Sequence, residues 1–315
     1  MDGPCLPCRA WRNKIMVFPV SGVEVNPVIP FAVAFIVSFF TSMGGVSGAF
    51  LLLPFQVSFL GYTAPSVSAT NQVFNIVAIP SGVYRFIKEG RMLWPLTWAV
   101  IIGTLPGVFI GAWVRIEYLP DPKNFKAFVG CILLYIGIKL VQDVMKNKEA
   151  AVSQKDNNSK VRDTFIVSIT RSSLKRVEFS FDDKSFSYAP SLVLGICFLV
   201  GIAGGIYGIG GGSIVAPFFV AILGLPVYAV AGAALMGTFI TSVAGVAFYQ
   251  VLAIFYTEMS VAPDWMLGFL LGFGGFVGIY LGARCQKYVP ARLIKLVLCI
   301  CVMVVAARYL MGFFQ

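Results

Sequence analysis

The chain has 315 residues, of which 58% are hydrophobic and only 12% are charged. Soluble globular proteins carry about 25% charged residues, so this composition excludes an ordinary soluble domain. The net charge of +10 lies almost wholly in the polar segments, where it predicts cytoplasmic loops and contact with anionic lipid rather than nucleic-acid binding.

Apolar runs alternate with short polar segments from residue 27 onward. A helix needs about 20 predominantly apolar residues to cross a bilayer, whereas a β-barrel would show short segments of strict alternation. We therefore predict an all-α polytopic protein, integral to the bacterial cytoplasmic (inner) membrane. In chain order, the predicted helical segments are 27–43, 46–60, 64–84, 92–114, 124–145, 189–207, 213–223, 227–252, 265–283 and 291–314.

The chain repeats itself in two halves, each with about five of these segments. A shift of 163 residues places Pro54 on Pro217, and neighbouring glycines also fall on glycines. The loop between the third and fourth segments is basic in the first half and acidic in the second. With basic loops on the cytoplasmic side, this reversal predicts two homologous inverted repeats with discontinuous helices broken at Gly-rich motifs.

Four regions follow from this repeat. They are an N-terminal segment (1–26), a first transmembrane repeat (27–145), a polar insert (146–188) and a second transmembrane repeat (189–315). The insert is aperiodic at first, and from Val177 onward apolar and polar residues alternate. That alternation predicts a short β-hairpin in an aqueous loop.

One glycine-rich stretch interrupts the apolar runs of each half. The first reads SMGGVSGAFLLLPF from Ser42, and the second reads GIYGIGGGSIVAPF from Gly205. A nucleotide loop would need a lysine after its glycines, and none is present. Close helix packing is one reading, because Gly204, Gly208 and Gly212 recur every four residues. We favour a helix break whose downstream half-helix presents N–H groups to an anion, and this reading does not exclude the packing role.

Polar residues concentrate in the third segment of each half. The first half carries Ser66, Ser68, Thr70, Asn71, Gln72 and Asn75 there, and the second carries Thr238, Thr241 and Ser242. One interpretation is hydrogen bonding between helices, worth about 1 kcal/mol or less per contact. We prefer a neutral, donor-rich anion site near the bilayer midplane. The predicted substrate-binding residues are Gly44, Gly45, Ser47, Gly48, Thr70, Asn71, Asn75, Gly208, Gly210, Gly211, Gly212, Ser213, Thr238 and Thr241.

The chain contains no set of residues suited to catalysis or metal binding. It has no histidine, and Cys5 and Cys8 form only an isolated CxxC beside the N-terminus. The other cysteines lie in apolar runs, where cysteine behaves as a small hydrophobe. We therefore predict a protein that is not an enzyme and has no cofactor and no metal site.

The repeated motif resembles the TauE/SafE family of sulfite and organosulfonate exporters. The second half carries the motif intact, with its glycines followed by a proline and a Leu-Gly pair: Gly208, Gly210, Gly211, Gly212, Pro217, Leu223 and Gly224. The first half carries a degenerate copy: Gly45, Ser47, Gly48, Pro54, Leu60 and Gly61. The resemblance covers both halves but not the insert.

The resemblance implies a secondary transporter for a small sulfur-containing anion such as sulfite, sulfoacetate or a related sulfonate or sulfate. A passive anion channel that uses the same donors is the alternative. The partners of such a protein are the sulfur oxyanion or sulfonate and membrane lipid, and no nucleic acid. A homodimer is one of the assembly states left open.

Overall fold

The computed structural model describes residues 15–43, 47–88, 90, 92–153, 168–172, 177–181, 184–223, 225, 227–285 and 291–314. The helices of the first half are α1 (Val28–Met43), α2 (Ala49–Ser58), α3 (Ser66–Ala78), α4 (Pro80–Lys88), α5 (Trp94–Glu117) and α6 (Pro122–Ser153). Those of the second half are α7 (Pro190–Tyr207), α8 (Gly212–Leu223), α9 (Val227–Phe255), α10 (Trp265–Cys285) and α11 (Ala291–Phe314). This architecture confirms the all-α polytopic membrane fold.

The helices match the predicted apolar segments closely, with two differences. The third segment is divided at Pro80, where the missing N–H of proline ends α3 and begins α4. Helix α6 continues past residue 145 to Ser153, into the predicted insert. Within the described ranges, four stretches are long and apolar enough to cross a membrane: Trp94–Glu117, Pro190–Tyr207, Val230–Phe255 and Trp265–Gly282.

Contacts at glycines define the relative directions of the helices. A Cβ added at Gly274 of α10 would contact the carbonyl of Phe31, and one at Gly278 would contact that of Phe35. An advance of four residues on α10 therefore matches four on α1, so the two helices run parallel. Helix α5 runs parallel to α7 in the same way, and α9 also runs parallel to α5.

These directions define two ends of the helix bundle. Face A holds Glu117 and Trp265, and face B holds Trp94 and Pro190. Helix α1 enters from face A, and α2 returns toward face A. At the end of α2, the Ser58 hydroxyl lies 2.6 Å from the hydroxyl of Tyr309, which is near the C-terminal end of α11. In the second half, α7 enters from face B and α8 leads back to the start of α9.

Each half therefore combines one such in-and-back pair with three further passes through the bundle, whereas five continuous segments would have made five passes. The first two helices of each half form a pair in which the chain turns back at the glycine-rich stretch, although Pro190–Tyr207 is itself long enough to cross a membrane. Three is also an odd number, so corresponding helices of the two halves run in opposite directions. That arrangement is what an inverted repeat requires, while the rotation axis that relates the halves stays a prediction.

Two small antiparallel sheets lie outside the helices. Strand β1 (Met16–Val17) pairs with β2 (Glu24–Val25) near face A. In the insert, β4 (Val177–Phe181) and β5 (Lys184–Tyr188) pair as a hairpin, with Val177 opposite Tyr188. A further strand, β3 (Ser168–Ser172), pairs with β4; its sequence SITRS has only one apolar residue, so no alternation pointed to it.

Glycines bring α5 and α7 into close backbone contact. A Cβ at Gly201 would lie 2.5 Å from the carbonyl oxygen of Thr104, and one at Gly103 would lie 2.6 Å from the Cβ of Cys197. Small residues at such crossings allow the dispersion contacts that hold membrane helices together. Part of the glycine content therefore serves helix packing.

Candidate functional site

In each half, the glycine-rich turn between the first two helices (α1 and α2, or α7 and α8) is called a break. Helix α3 holds the two breaks together through Asn71. Its Nδ2 donates to the carbonyl of Ala49, at the start of α2, and to the carbonyl of Gly208, at the end of α7, each at 3.1 Å. Its Oδ1 accepts a hydrogen bond of 3.2 Å from Gln56 Nε2. One side chain therefore contacts the breaks of both halves.

Asn75 makes a second bridge one helical turn further along α3. Its Nδ2 donates to the carbonyl of Ile209 at 3.0 Å and to the hydroxyl of Ser242 at 3.3 Å. Its Oδ1 accepts from the Ser47 hydroxyl at 3.3 Å. The structure therefore brings the two breaks together. The amide groups of both asparagines are already engaged in this contact.

The backbone of the second break needs glycine for conformation and for space. Gly208 has φ +80° and Gly210 has φ +73°, in the left-handed region that disfavours side chains. A Cβ at Gly208 would lie 2.5 Å from the Cα of Ser68 on α3. The N–H of Gly208 donates to Gly204 at 2.9 Å, which closes the last turn of α7.

Gly211 and Gly212 pack against neighbouring helices on both sides. A Cβ at Gly211 would lie 2.6 Å from the Cβ of Thr104, and one at Gly212 would contact the carbonyl of Ala234. A leucine at Gly211 would therefore collide with α5 as well as with any ligand. For this reason a glycine replacement here would not separate loss of binding from loss of folding.

The half-helices α2 and α8 begin beside these bridges. The first N–H groups of a helix have no acceptor within the helix, and the helix dipole places about half a positive charge there. At α2, the N–H of Ala49 points to the Ser47 hydroxyl at 3.4 Å. Gly48, the residue before α2, is buried, as are Gly211 and Gly212 at the start of α8.

The predicted threonine ligands donate within their own helices. Thr70 donates to the carbonyl of Ser66 at 2.9 Å, Thr238 to that of Ala234 at 2.8 Å, and Thr241 to that of Gly237 at 2.7 Å. Their hydroxyl hydrogens are therefore already used, and free donors at the breaks must come from other groups.

Thr70 joins a second polar cluster toward face A. It lies 3.1 Å from the Tyr62 hydroxyl and accepts from the N–H of Asp264 at 2.9 Å. Burial raises the pKa of the Tyr62 hydroxyl, so Tyr62 remains a neutral donor. The Asp264 carboxylate accepts from the N–H and the hydroxyl of Ser21 at 3.0 and 2.8 Å.

Several buried polar side-chain atoms have no hydrogen-bond partner among the described residues. Both amide atoms of Gln72 are in this state, and so are Gln56 Oε1 and Ser38 Oγ. Gln72 is fully buried between α3 and α9, against Gly245. Burying an amide without a partner is costly, which makes Gln72 a candidate ligand.

The polar side chains that the structure brings together differ from the predicted ligands at several residues. Gln56 and Gln72 were not among the predicted ligands; the signal for them was an amide side chain within an apolar helix. Gly44, Gly45 and the side chain of Ser213 lie outside the described part of the chain, so their predicted roles have no structural account.

Comparisons with known proteins agree with the architecture. The sulfite exporter TauE/SafE family matches residues 30–309. A probable membrane transporter protein, YunE of Bacillus subtilis (strain 168), is 27% identical over 146 residues, which cover 46% of this chain and 47% of that relative. The match thus spans about half the length of the relative. No solved structure matches.

The matched family extends across both halves and through the glycine-rich stretch of each. The four apolar helices agree with placement in a bacterial cytoplasmic membrane. The chain belongs to the TauE/SafE sulfite exporter family of membrane transporters and is an integral membrane protein.

Proposed function

We propose that the protein is a secondary transporter that moves sulfite, or a related sulfonate or sulfate, across the cytoplasmic membrane. The family supports a small anion as the substrate. Three features support an anion that passes through the bundle. They are the basic loops, the two half-helices and the neutral groups that bridge the breaks.

The anion binds between the N-termini of α2 and α8. One observation carries this assignment: one amide group of Asn71 bonds to Ala49, the first residue of α2, and to Gly208, four residues before α8 begins, so the two breaks meet at one side chain. Two partial positive charges then act on one ligand. Asn71 and Asn75 hold the breaks in place, and the free Nε2 of Gln72 donates to the anion.

Neutral donors suit a transporter because the anion must also leave. Asparagine, glutamine, serine and backbone groups surround the breaks. Helix N-termini and amides recognise an oxyanion without the ion pair that a lysine or arginine would form. The bound anion is therefore held moderately and released when the bundle opens to the other face.

Flux measurements in proteoliposomes test this function. The panel contains sulfite, sulfate, thiosulfate and sulfoacetate, each with and without an imposed pH or sodium gradient. We expect uphill accumulation of at least one sulfur anion when a gradient is present, and none in protein-free liposomes. Downhill flux alone would indicate a channel, and no flux of any of the four would refute the proposal.

A further inference from the structure

A basic cavity of about 440 Å³ opens near face A, away from the two breaks. Its charged residues are Lys123 and Lys126 of α6 and Arg308 of α11, and its hydroxyl-bearing residues are Ser58, Thr63 and Tyr309. The residues that line it include no aspartate or glutamate. Lys123 and Arg308 are exposed, so the cavity faces water.

The positive charges of this cavity lie close to the start of a helix. Helix α6 begins at Pro122 and has no acidic residue in its first turn. Lysines in this position are repelled by the helix dipole. The Asp121 carboxylate accepts from the backbone N–H of Lys123 at 3.2 Å, which caps the helix. Two lysines at a helix N-terminus weaken the fold, so their placement favours a role in binding.

Arg115 adds a buried charge behind the cavity. It is fully buried and donates to the carbonyl of Thr63, a lining residue, at 3.2 Å, and to the carbonyl of Leu119. Its guanidinium lies 3.7 Å from the ring centre of Phe125. Its Nε has no hydrogen-bond partner among the described residues. Backbone carbonyls and an aromatic ring carry no negative charge that could neutralise Arg115. Its full positive charge therefore raises the electrostatic potential in the cavity.

The cavity is also connected to the proposed site through α2. Ser58, at the end of this half-helix, lines the cavity, and Ala49 at its start lies beside Asn71. Ten residues of helix separate the two points by about 15 Å. The Tyr309 hydroxyl, which lies 2.6 Å from that of Ser58, also donates to the carbonyl of Pro54 at 3.3 Å and fixes α11 against α2.

We propose that this cavity is a second anion site, which exchanges the sulfur oxyanion between the water at face A and the breaks. The identity of the anion rests on the proposed function. Exposed lysines and an arginine attract the anion from solution and exchange it rapidly. The cavity thereby raises the local anion concentration at the mouth of the bundle.

Transport kinetics test this role. The variant combines Lys123→Gln, Lys126→Gln and Arg308→Gln, and the control is Lys88→Gln, an exposed lysine at face B. At low ionic strength we expect the triple variant to raise the KM for sulfite about tenfold with little change in kcat, and the difference to shrink in high salt. A KM equal to that of the wild type at low ionic strength would overturn the proposal.

A binding measurement separates this inference from the proposed function. Lysine acylation of the purified wild-type protein is followed by mass spectrometry, with inorganic sulfate or with chloride at equal ionic strength. We expect sulfate to slow the labelling of Lys123 and Lys126 several-fold and to leave Lys88 unchanged. This result does not depend on transport, so it would stand even if no sulfur anion were transported.

Anionic lipid provides the competing occupant of the cavity. The same labelling is repeated in nanodiscs of phosphatidylglycerol and in nanodiscs of phosphatidylcholine. Protection by phosphatidylglycerol without protection by sulfate would show that the cavity binds a lipid phosphate, and would overturn the proposal. Absence of protection under every condition would also overturn it.

Discussion

Asn71 and Gln72 are neighbours on α3, and they differ in how their amides are bonded. Asn71 satisfies carbonyls of both breaks, whereas both polar atoms of Gln72 are buried without a partner. We therefore expect the first side chain to serve the fold and the second to bind a ligand. Replacing each one separately distinguishes the two roles.

Asn71→Leu should destabilise the protein. It leaves the carbonyls of Ala49 and Gly208 without this donor, and an unsatisfied buried group costs about 1–3 kcal/mol. We expect a lower thermal unfolding temperature in detergent and a smaller monodisperse fraction. An unfolding temperature equal to that of the wild type would show that the bridge contributes little.

Gln72→Met should leave the fold intact and impair transport. Methionine has a similar length and removes two unsatisfied polar atoms, so stability should be unchanged or higher. The loss of a hydrogen bond to an anion, about 1.5–3 kcal/mol, should lower the sulfite transport rate tenfold or more. Gln250→Met, on the half-buried side of α9, is the matched control. Normal transport by Gln72→Met would remove Gln72 from the site.

At the scale of single elements, the apolar runs predicted nearly every helix. Exceptions have local causes: Pro80 divides the third segment, and residues 146–151 (KNKEAA) are strong helix formers that extend α6 although they are polar. The polar face of α3 was also visible, since Asn71 and Asn75 are four residues apart. Whether a side-chain donor is already hydrogen-bonded depends on carbonyls that are distant in the sequence. The sequence alone therefore could not distinguish the bonded amide of Asn71 from the unbonded amide of Gln72.

The order of the elements supports the inverted repeat as a testable proposal. In an experimental structure determined in a lipid nanodisc, residues 27–145 should superpose on 189–315 after a rotation of about 180° around an axis in the membrane plane. The odd number of crossings in each half is the reason for this expectation. A rotation around the membrane normal would contradict it.

At the scale of the whole molecule, charge is unequally divided between the two faces. Face B carries basic residues such as Arg85, Lys88 and Arg284. At face A, the basic residues around the cavity are balanced by acidic ones: Glu24, Glu117, Asp121, Glu258 and Asp264. The positive-inside rule then places face B, together with the insert between α6 and α7, in the cytoplasm.

Cysteine labelling in intact cells tests this orientation. In a background without native cysteines, a membrane-impermeant maleimide should react with Glu258→Cys at face A and not with Lys88→Cys at face B. Both positions are exposed, so a difference in labelling reports the side of the membrane. After the cells are opened, both variants should react. Labelling of Lys88→Cys alone in intact cells would reverse the orientation.

A sulfur oxyanion bound between the starts of α2 and α8 can be located directly. Selenite has the shape and charge of sulfite, and its selenium can be located by anomalous scattering in a crystal of the wild-type protein. We predict a selenium peak beside the Gln72 amide, between Ala49 and Gly212. If selenite competes with sulfite for transport but no peak lies between the two breaks, the binding site proposed here is wrong.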